Sequence, residues 1–319
     1  MIGSQLLLDF QYGELGRVDE EFAWDPSIFH ANDGVAWYLQ APDEHAPVGL
    51  PEAFNLLGAH TDFFGHWLCE YLPKYASAVL SGVLPRMPVL IDAHMPATHR
   101  QSLELLFPEQ GPIIEIESFR SVLVQRLWVA PDLSYYPLYD AGRGRFKWDA
   151  ISVSPERIAP VMEQLRQRAV ARLGPGTTPA TSVFLARKPC RHRRLVNDAD
   201  IQAEARRHGF AVVFPEDLGF GEQVGLMQRA TEIVALEGSA MFLIQFAGPG
   251  AKACILSHPM TEAQSDFHEI FRALGIEMTV LTGPIANLNA QAPHDSDYSI
   301  DAGRFSAFLR GWQNGERDR

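Results

Sequence analysis

Ser182-Val183-Phe184-Leu185-Ala186 is an apolar, strand-like run, and Arg187-Lys188-Pro189-Cys190-Arg191-His192-Arg193-Arg194 follows it at once. Five positive charges within eight residues repel one another, so carboxylates or a bound anion must compensate them in a compact chain. At the end of a strand in an alternating strand–helix region, the small anion that fits best is a phosphate or diphosphate. The competing reading is a solvated surface network in which the arginines pair with Glu204, Glu216 or Asp217.

The alternation continues downstream. Asn197 is placed to cap a helix over Asp198–Arg207, with Gly209 as its stop. Ala211–Phe214 reads as a strand, the segment around Glu222–Met227 as a helix, and Thr231–Leu236 as a strand. Ser239–Phe246 reads as a buried helix and Ala253–Leu256 as a strand, followed by helix Ser265–Leu274 and strand Glu277–Leu281. Strands alternating with helices of this length indicate βαβ units and a parallel sheet covered on both faces.

The first half is less regular. Asp62–Tyr71 and Pro96–Leu106 read as helices, and Met87–Ala93, Ile113–Ile116 and Val122–Val129 as strands. A helix opens at Ser154-Pro155-Glu156 and runs to Arg172, with Pro at a tolerated first position and Pro160 marking a kink or restart. Gly174-Pro175-Gly176-Thr177-Thr178-Pro179 is the clearest linker. The expectation is two α/β lobes, residues 1–160 and 161–300. A last helix within 301–319 has either lobe open to it to pack back on, including the N-terminal one.

Composition narrows the function. Lys plus Arg total 27 against 39 Asp plus Glu, a formal charge of −12, which disfavours broad nucleic-acid binding. The three cysteines, Cys69, Cys190 and Cys254, show no CxxC spacing, so neither a zinc knuckle nor a disulfide framework is indicated. The N-terminus lacks a basic lead and a long apolar segment, so no signal peptide is expected. No run of about 18 apolar residues occurs, so no membrane span is expected. A cytoplasmic protein, or one peripheral to the inner membrane, is the expectation.

Three constellations carry chemistry. Ala235-Leu236-Glu237-Gly238-Ser239-Ala240 ends a strand and opens a helix, where small residues let an anion approach backbone N–H groups. An ordinary tight turn is the bland alternative. Asp62, His66 and Glu70 recur every four residues, so a helix would place a base and its orienting partner on one face. They equally fit the polar side of an amphipathic helix whose Phe63, Trp67 and Leu68 face the core. Asp198-Ala199-Asp200 and Asp295-Ser296-Asp297 read as structural, so no metal is required. Tyr135, Tyr136, Tyr139 and Trp148 read as a stacking surface or as aromatic core, beside a basic segment with Arg143, Arg145 and Lys147.

Several of these segments, in order, resemble bacterial members of glycosyltransferase family 61. They are Phe64–Pro73, Phe184–Arg187 with Arg193–Asn197, Phe220–Val224, Ile233–Ala240 and Phe246–Ala251. The resemblance implies a GT-B type fold, two Rossmann-like α/β lobes facing across a cleft. It also implies inverting, metal-independent transfer, without a cofactor, from a nucleotide-sugar donor. The donor, a UDP-sugar by expectation, would bind the C-terminal lobe through Arg187, Arg193, Arg194, Asn197, Glu222 and the Glu237-Gly238-Ser239-Ala240 turn. Asp62, His66 and Glu70 would serve the acceptor side, where the acceptor is a glycan, lipid carrier, protein or small metabolite. The family usually has a histidine where this chain has Glu237. A carboxylate there repels a diphosphate unless an arginine neutralises it or it binds ribose hydroxyls. That substitution motivates an alternative, a catalytically inactive partner or sugar-binding subunit. A nucleotide-sugar epimerase is a third reading, against which stands the absence of a Gly-x-Gly-x-x-Gly fingerprint after an early strand.

Overall fold

The computed structural model describes residues 29–32, 37–39, 48–58, 60–117, 120, 122–135, 152–174, 181–290 and 293–313. Tyr136, Tyr139, Trp148, the basic segment around Arg143–Lys147 and most of the Gly174–Pro179 linker lie outside them. Two compact units make up the chain, Met1–Val153 and Ser154–Arg319. The division falls ahead of the helix that begins at Pro155, not at residue 160 as expected, because that helix packs within the second unit.

In the first unit, β1 (Phe29–Asn32) and β2 (Trp37–Leu39) form a small antiparallel pair. The main sheet is parallel throughout: β3 (Val48–Asn55), β4 (Val89–Asp92), β5 (Ile113–Ile116) and β6 (Val122–Trp128) lie in the order β5-β4-β3-β6. A further short antiparallel pair joins β7 (Ser134–Tyr135) to β8 (Ser152–Val153). Between β3 and β4 runs a continuous helix, α1, which is α over Phe64–His66, π over Trp67–Tyr71 and α again over Leu72–Leu80. Its Trp67, Leu68, Tyr71, Leu72 and Tyr75 are buried. Tyr75 meets Phe54 of β3 and Phe107 edge-on, at centroid distances of 5.1 and 4.9 Å. From α2 (Ala97–Leu106), Ser102 accepts a hydrogen bond from the Trp67 indole at 2.8 Å.

The second unit carries the sheet expected from the basic island outward. Strands β9 (Thr181–Leu185), β10 (Ala211–Val213), β11 (Ala230–Leu236), β12 (Lys252–Ser257) and β13 (Glu277–Thr282) are all parallel, in the order β10-β9-β11-β12-β13. Phe184, Val234 and Cys254 are in register, as are their neighbours Leu185, Ala235 and Ile255. All six are buried, so both faces of the sheet are covered and the strands read as unbroken apolar runs. One face packs α4 (Asp198–Arg207) and α7 (Ala302–Gln313). The other group of mutually packed helices is α3 (Pro155–Leu173), α5 (Phe220–Arg229), the 3₁₀ helix Ser239–Phe246 and α6 (Ser265–Ala273).

Three local expectations gain detail. Helix α3 crosses Pro160 without a break, since Pro160 is exposed and the buried stripe Ile158, Met162, Leu165 and Ala169 holds both sides. The Ser239–Phe246 segment is 3₁₀ rather than α-helical. It is buried all round from Met241 to Phe246, so no polar stripe in the sequence distinguishes the two periods. Helix α7 packs on α4 of its own unit, because Phe305 and Leu309 enter the core that contains Phe184, Val234 and Leu256.

Two short strands, β14 (Ile285–Asn287) and β15 (Asp297–Tyr298), pair antiparallel and lead back into that core. Tyr298 is fully buried, bridges to Leu195 and donates its hydroxyl hydrogen to the Leu256 carbonyl at 2.8 Å. Asn197 stands ahead of α4, but its side chain does not cap the helix. Instead its amide donates to the Ile300 carbonyl at 2.7 Å and accepts from the Ile300 N–H at 3.2 Å. The residue thereby ties the start of α4 to the segment entering α7. Phe305→Ala should cost roughly 3–5 kcal/mol in urea-induced unfolding of the second unit. The half-buried Phe308→Ala should cost clearly less; equal losses would contradict this placement of α7.

Candidate functional site

The chain order of the second sheet places its first strand, β9, between its second, β10, and its third, β11. From the carboxyl end of β9 the chain leaves towards α4 and β10, and from that of β11 it leaves towards β12. Such a divergence opens a crevice between adjacent strand ends, which is where open parallel sheets take their ligands. Arg187 stands just past β9, and Glu237-Gly238 just past β11. Gly238 has φ +148°, a conformation that side-chain-bearing residues rarely adopt. A Cβ built there would meet Arg187 Nη1 at 3.5 Å and, within 4 Å, only the guanidinium. The arginine head therefore lies over the glycine turn. The 3₁₀ helix Ser239–Phe246 starts here, and the leading N–H groups of a helical segment lack carbonyl partners within it.

Beneath this turn sits Glu237, 1% exposed. Its N–H donates to the Leu256 carbonyl, the same oxygen that accepts from Tyr298, and Ser257 hydrogen-bonds its carboxyl group. Oε1 nonetheless has no hydrogen-bond partner among the described residues. Burial pushes this carboxyl up to about 7, against the pull of Arg193 and the Ser257 hydrogen bond. Burial, reinforced by the Glu237 charge, also pushes the Tyr298 phenol well above its ordinary range. His258, one residue past β12, is held below the usual imidazole value by burial, with Arg193 and His294 adding repulsion. Its ring lies 5.5 Å from that of Tyr298.

The arginines of the basic island separate into different roles. Arg194 is locked on Asp297: Nη2 and Nε donate to Oδ2 at 2.6 and 3.1 Å, and the backbone N–H donates to Oδ1 at 2.9 Å. Led by these hydrogen bonds, the Asp297 carboxyl falls to about 2. Arg193 adopts the left-handed φ of +55° and pairs with Asp295 at 3.4 Å. Lys188 pairs with Asp217, and its N–H donates to Glu216. Three of the island's five charges are thus compensated internally: Arg193 and Arg194 by Asp295 and Asp297, and Lys188 by Asp217, one of the expected carboxylates. Glu222 accepts from the Gly219 N–H at 2.8 Å and closes the start of α5. Asp198 and Asp200 lie in the first turn of α4, where the helix dipole favours them. The structure thus brings Arg187, Glu237, Gly238, Ser239 and Ala240 together, with Arg193 close enough to act on Glu237. It gives Arg194, Asn197 and Glu222 tethering contacts elsewhere.

The first sheet has the order third-second-first-fourth, so its divergence lies beside β3, and the chain leaving β3 carries His60–Glu70. Thr61 donates to Asp92 Oδ2 at 2.6 Å, beyond the end of β3. His60 has φ +60° and Phe63 is extended, so α1 starts at Phe64 and Asp62 lies in an exposed turn, off the helical face expected for it. His66 and Glu70 do meet, Nδ1 to Oε1 at 2.9 Å, with side chains 25% and 4% exposed. The π turn that holds Glu70 is a departure from regular helix often found at functional sites. His60, Phe63 and His66 form a ring cluster with centroid separations of 5.2 to 6.1 Å.

The fold defines a mixed α/β protein with parallel sheets, whose candidate residues fall at the strand ends where such sheets take ligands. The chain belongs to glycosyltransferase family 61: the family model, described as Glycosyltransferase 61, matches residues 64–254, more than half of the chain. A search of curated proteins finds no match. Among solved structures, the chain is similar to the dodecameric iron-containing heptosyltransferase TibC in complex with ADP-D-beta-D-heptose. The identity is 12% and the TM-score 0.30, over 79% of this chain and 63% of that one. The chain thus spans less than two thirds of that protein's length. Among the described residues no group of three His, Cys, Asp or Glu is arranged to hold a metal ion, and no helix is long and apolar enough to cross a membrane.

Sequence reasoning missed Asp295 and Asp297 as the partners of the arginines, and the Ser257-His258 pair behind Glu237. A polar Ser-His directly after the apolar run Ala253–Leu256 was the available signal. Unfolded, Glu237 ionises near 4.5; folded, it holds its proton up to about 7. Its contribution to stability is therefore full below about 4.5, is lost as pH rises through about 7, and stays lost above. Glu237→Gln should be stabilised relative to the parent by about 3 kcal/mol at pH 8 and by little at pH 4.5, measured by chemical denaturation. A gap that does not widen with pH would contradict the burial argument.

Proposed function

We propose that the protein is an inverting, metal-independent glycosyltransferase that moves a sugar from a nucleotide-sugar donor, a UDP-sugar, to an acceptor hydroxyl. Its two Rossmann-like units would work as the facing lobes of a GT-B enzyme. Family membership supports the reaction class. The observation that carries the donor assignment is Arg187, whose guanidinium lies against Gly238 at the divergence between β9 and β11. Guanidinium donors bind phosphate oxygens bidentately and stay charged at any physiological pH.

In this reading the acceptor oxygen attacks the anomeric carbon from the face opposite the diphosphate, which inverts the centre. The bond to the diphosphate oxygen breaks, and the charge developing there meets Arg187 and the amides at Ser239 and Ala240. His66 removes the acceptor proton. His66 Nδ1 lies 2.9 Å from Glu70 Oε1, and in the tautomer that donates from Nδ1 to this carboxyl oxygen Nε2 is left to take the acceptor proton. Asp62, exposed in its turn, has no such orienting partner among the described residues and ranks below His66 as the base. Glycans, lipid carriers, proteins and small metabolites all supply a hydroxyl of the required kind. A cytoplasmic setting, where nucleotide sugars are made, suits this chemistry.

The buried Glu237 favours a second reading, a non-catalytic sugar-binding or partner subunit that keeps the fold. Calorimetry and a transfer assay separate the two. His66→Ala should leave UDP affinity nearly unchanged while lowering transfer about 10²–10⁴-fold. Arg187→Ala should weaken UDP binding about tenfold or more. Full turnover by His66→Ala removes it as the base, and unaltered UDP affinity in Arg187→Ala removes the diphosphate role. Nucleotide binding without transfer in the parent protein would favour the non-catalytic subunit.

A further inference from the structure

The apolar stripe Phe63, Trp67 and Leu68 is broken at its first member. Trp67 and Leu68 are fully buried, whereas Phe63 is 52% exposed. One exposed aromatic side chain is ordinary on a protein surface. This one, however, is carried on a backbone fixed at several points. The Phe63 N–H donates to the His60 carbonyl at 3.0 Å, and the Phe63 carbonyl accepts from the Trp67 N–H at 2.9 Å. Thr61, buried in the same turn, donates to Asp92 Oδ2. His60 takes the left-handed φ of +60°, a conformation that persists in a residue with a side chain only where the surroundings hold it. The rings of His60 and His66 meet that of Phe63 at 84° and 80°, so the phenyl group is braced without being covered.

We infer that Phe63 is an acceptor-binding residue, on whose ring the apolar face of a sugar stacks, and that the acceptor is a glycan. This rests on the transferase reading above and deepens it. A pyranose presents a face of C–H groups and a rim of hydroxyls, so it needs an aromatic surface with polar groups beside it. Phe63 supplies the surface. Asp62, exposed immediately before it, supplies an acceptor for rim hydroxyls. The His66 ring centroid lies 6.1 Å from that of Phe63, which brings a rim hydroxyl of a stacked sugar within reach of the candidate base. A lipid carrier needs a continuous apolar surface instead. In this turn Thr61 and Gly65 are buried, and the exposed phenyl group has a carboxylate for a neighbour. Because the backbone is already pinned, stacking costs little further ordering.

Saturation-transfer NMR on the full chain tests this with the methyl β-D-glycosides of glucose, galactose and xylose. Farnesyl phosphate serves as the lipid probe and a short serine peptide as the protein probe. The parent should bind at least one glycoside through the C–H protons of one ring face. That affinity should fall about tenfold in Phe63→Ala and Phe63→Leu and be kept in Phe63→Trp. Leu retains apolar bulk without a π face, so undiminished binding by Phe63→Leu overturns stacking. Farnesyl phosphate or the peptide bound in place of every glycoside overturns the glycan assignment, and so does a parent that binds none of the probes. Calorimetry with UDP on the same proteins keeps the two readings apart. Phe63→Ala should lose the glycoside and keep its UDP affinity, which also shows that it folds. Glycoside binding by a parent that does not bind UDP sinks the donor reading and leaves Phe63 as the platform of a sugar-binding subunit.

Discussion

The parallel pairing of β9 between β10 and β11 is the constraint on which the candidate donor site depends. Only because β9 has neighbours on both sides do the chains leaving β9 and β11 part in different directions. That parting sets Arg187 opposite Gly238, and the register of Val234 with Phe184 and of Ala235 with Leu185 fixes how closely the two ends approach. The register in turn is held by burial. Both faces of these strands are covered by helices, so a slip of one residue would exchange one apolar set for the other rather than expose it. Turn geometry and the tethers at the strand ends must then select among registers that hydrophobicity alone tolerates.

Those tethers are polar and come from far along the chain. Asp297 grips Arg194, Asn197 grips Ile300, and Tyr298 reaches the carbonyl of Leu256. Together they bind the loop after β9 to the strand before α7. The basic island is thereby divided into a structural part, spent on carboxylates, and Arg187, which stands at the glycine turn. Arg193 belongs to both parts, since it pairs with Asp295 and also moderates the buried Glu237. A cluster of like charge in sequence need not be one patch in space.

The sheet of the second unit was legible because its signals are local. Apolar runs of four to six residues alternate with helices bounded by Asn, Gly and Pro, and each run became a strand within a residue or two of its expected ends. In the first unit β4, β5 and β6 were legible for the same reason, whereas β3, interrupted by Pro51 and Glu52, was not read as a strand. What escaped was everything long-range or aperiodic. Asp297 lies 103 positions from Arg194, so no pattern links them before folding. The left-handed His60 and the extended Phe63 remove Asp62 from the helical face that regular four-residue spacing assigns to it. His66 and Glu70 survived that change because their contact needs only one helical turn. Helix α7 was readable as a helix, but nothing local to Phe305 says which unit it completes.

The central claim is that the guanidinium of Arg187 and the amides opening the 3₁₀ helix at Ser239 receive a diphosphate. A crystal structure of the protein with UDP tests it most directly. The account predicts phosphate oxygens within hydrogen-bonding distance of Arg187 and of the Ser239 or Ala240 N–H, with Arg194 still on Asp297. A nucleotide seated at the end of β3 instead, or one that displaces Asp297 to reach Arg194 while Arg187 stays uninvolved, would contradict it.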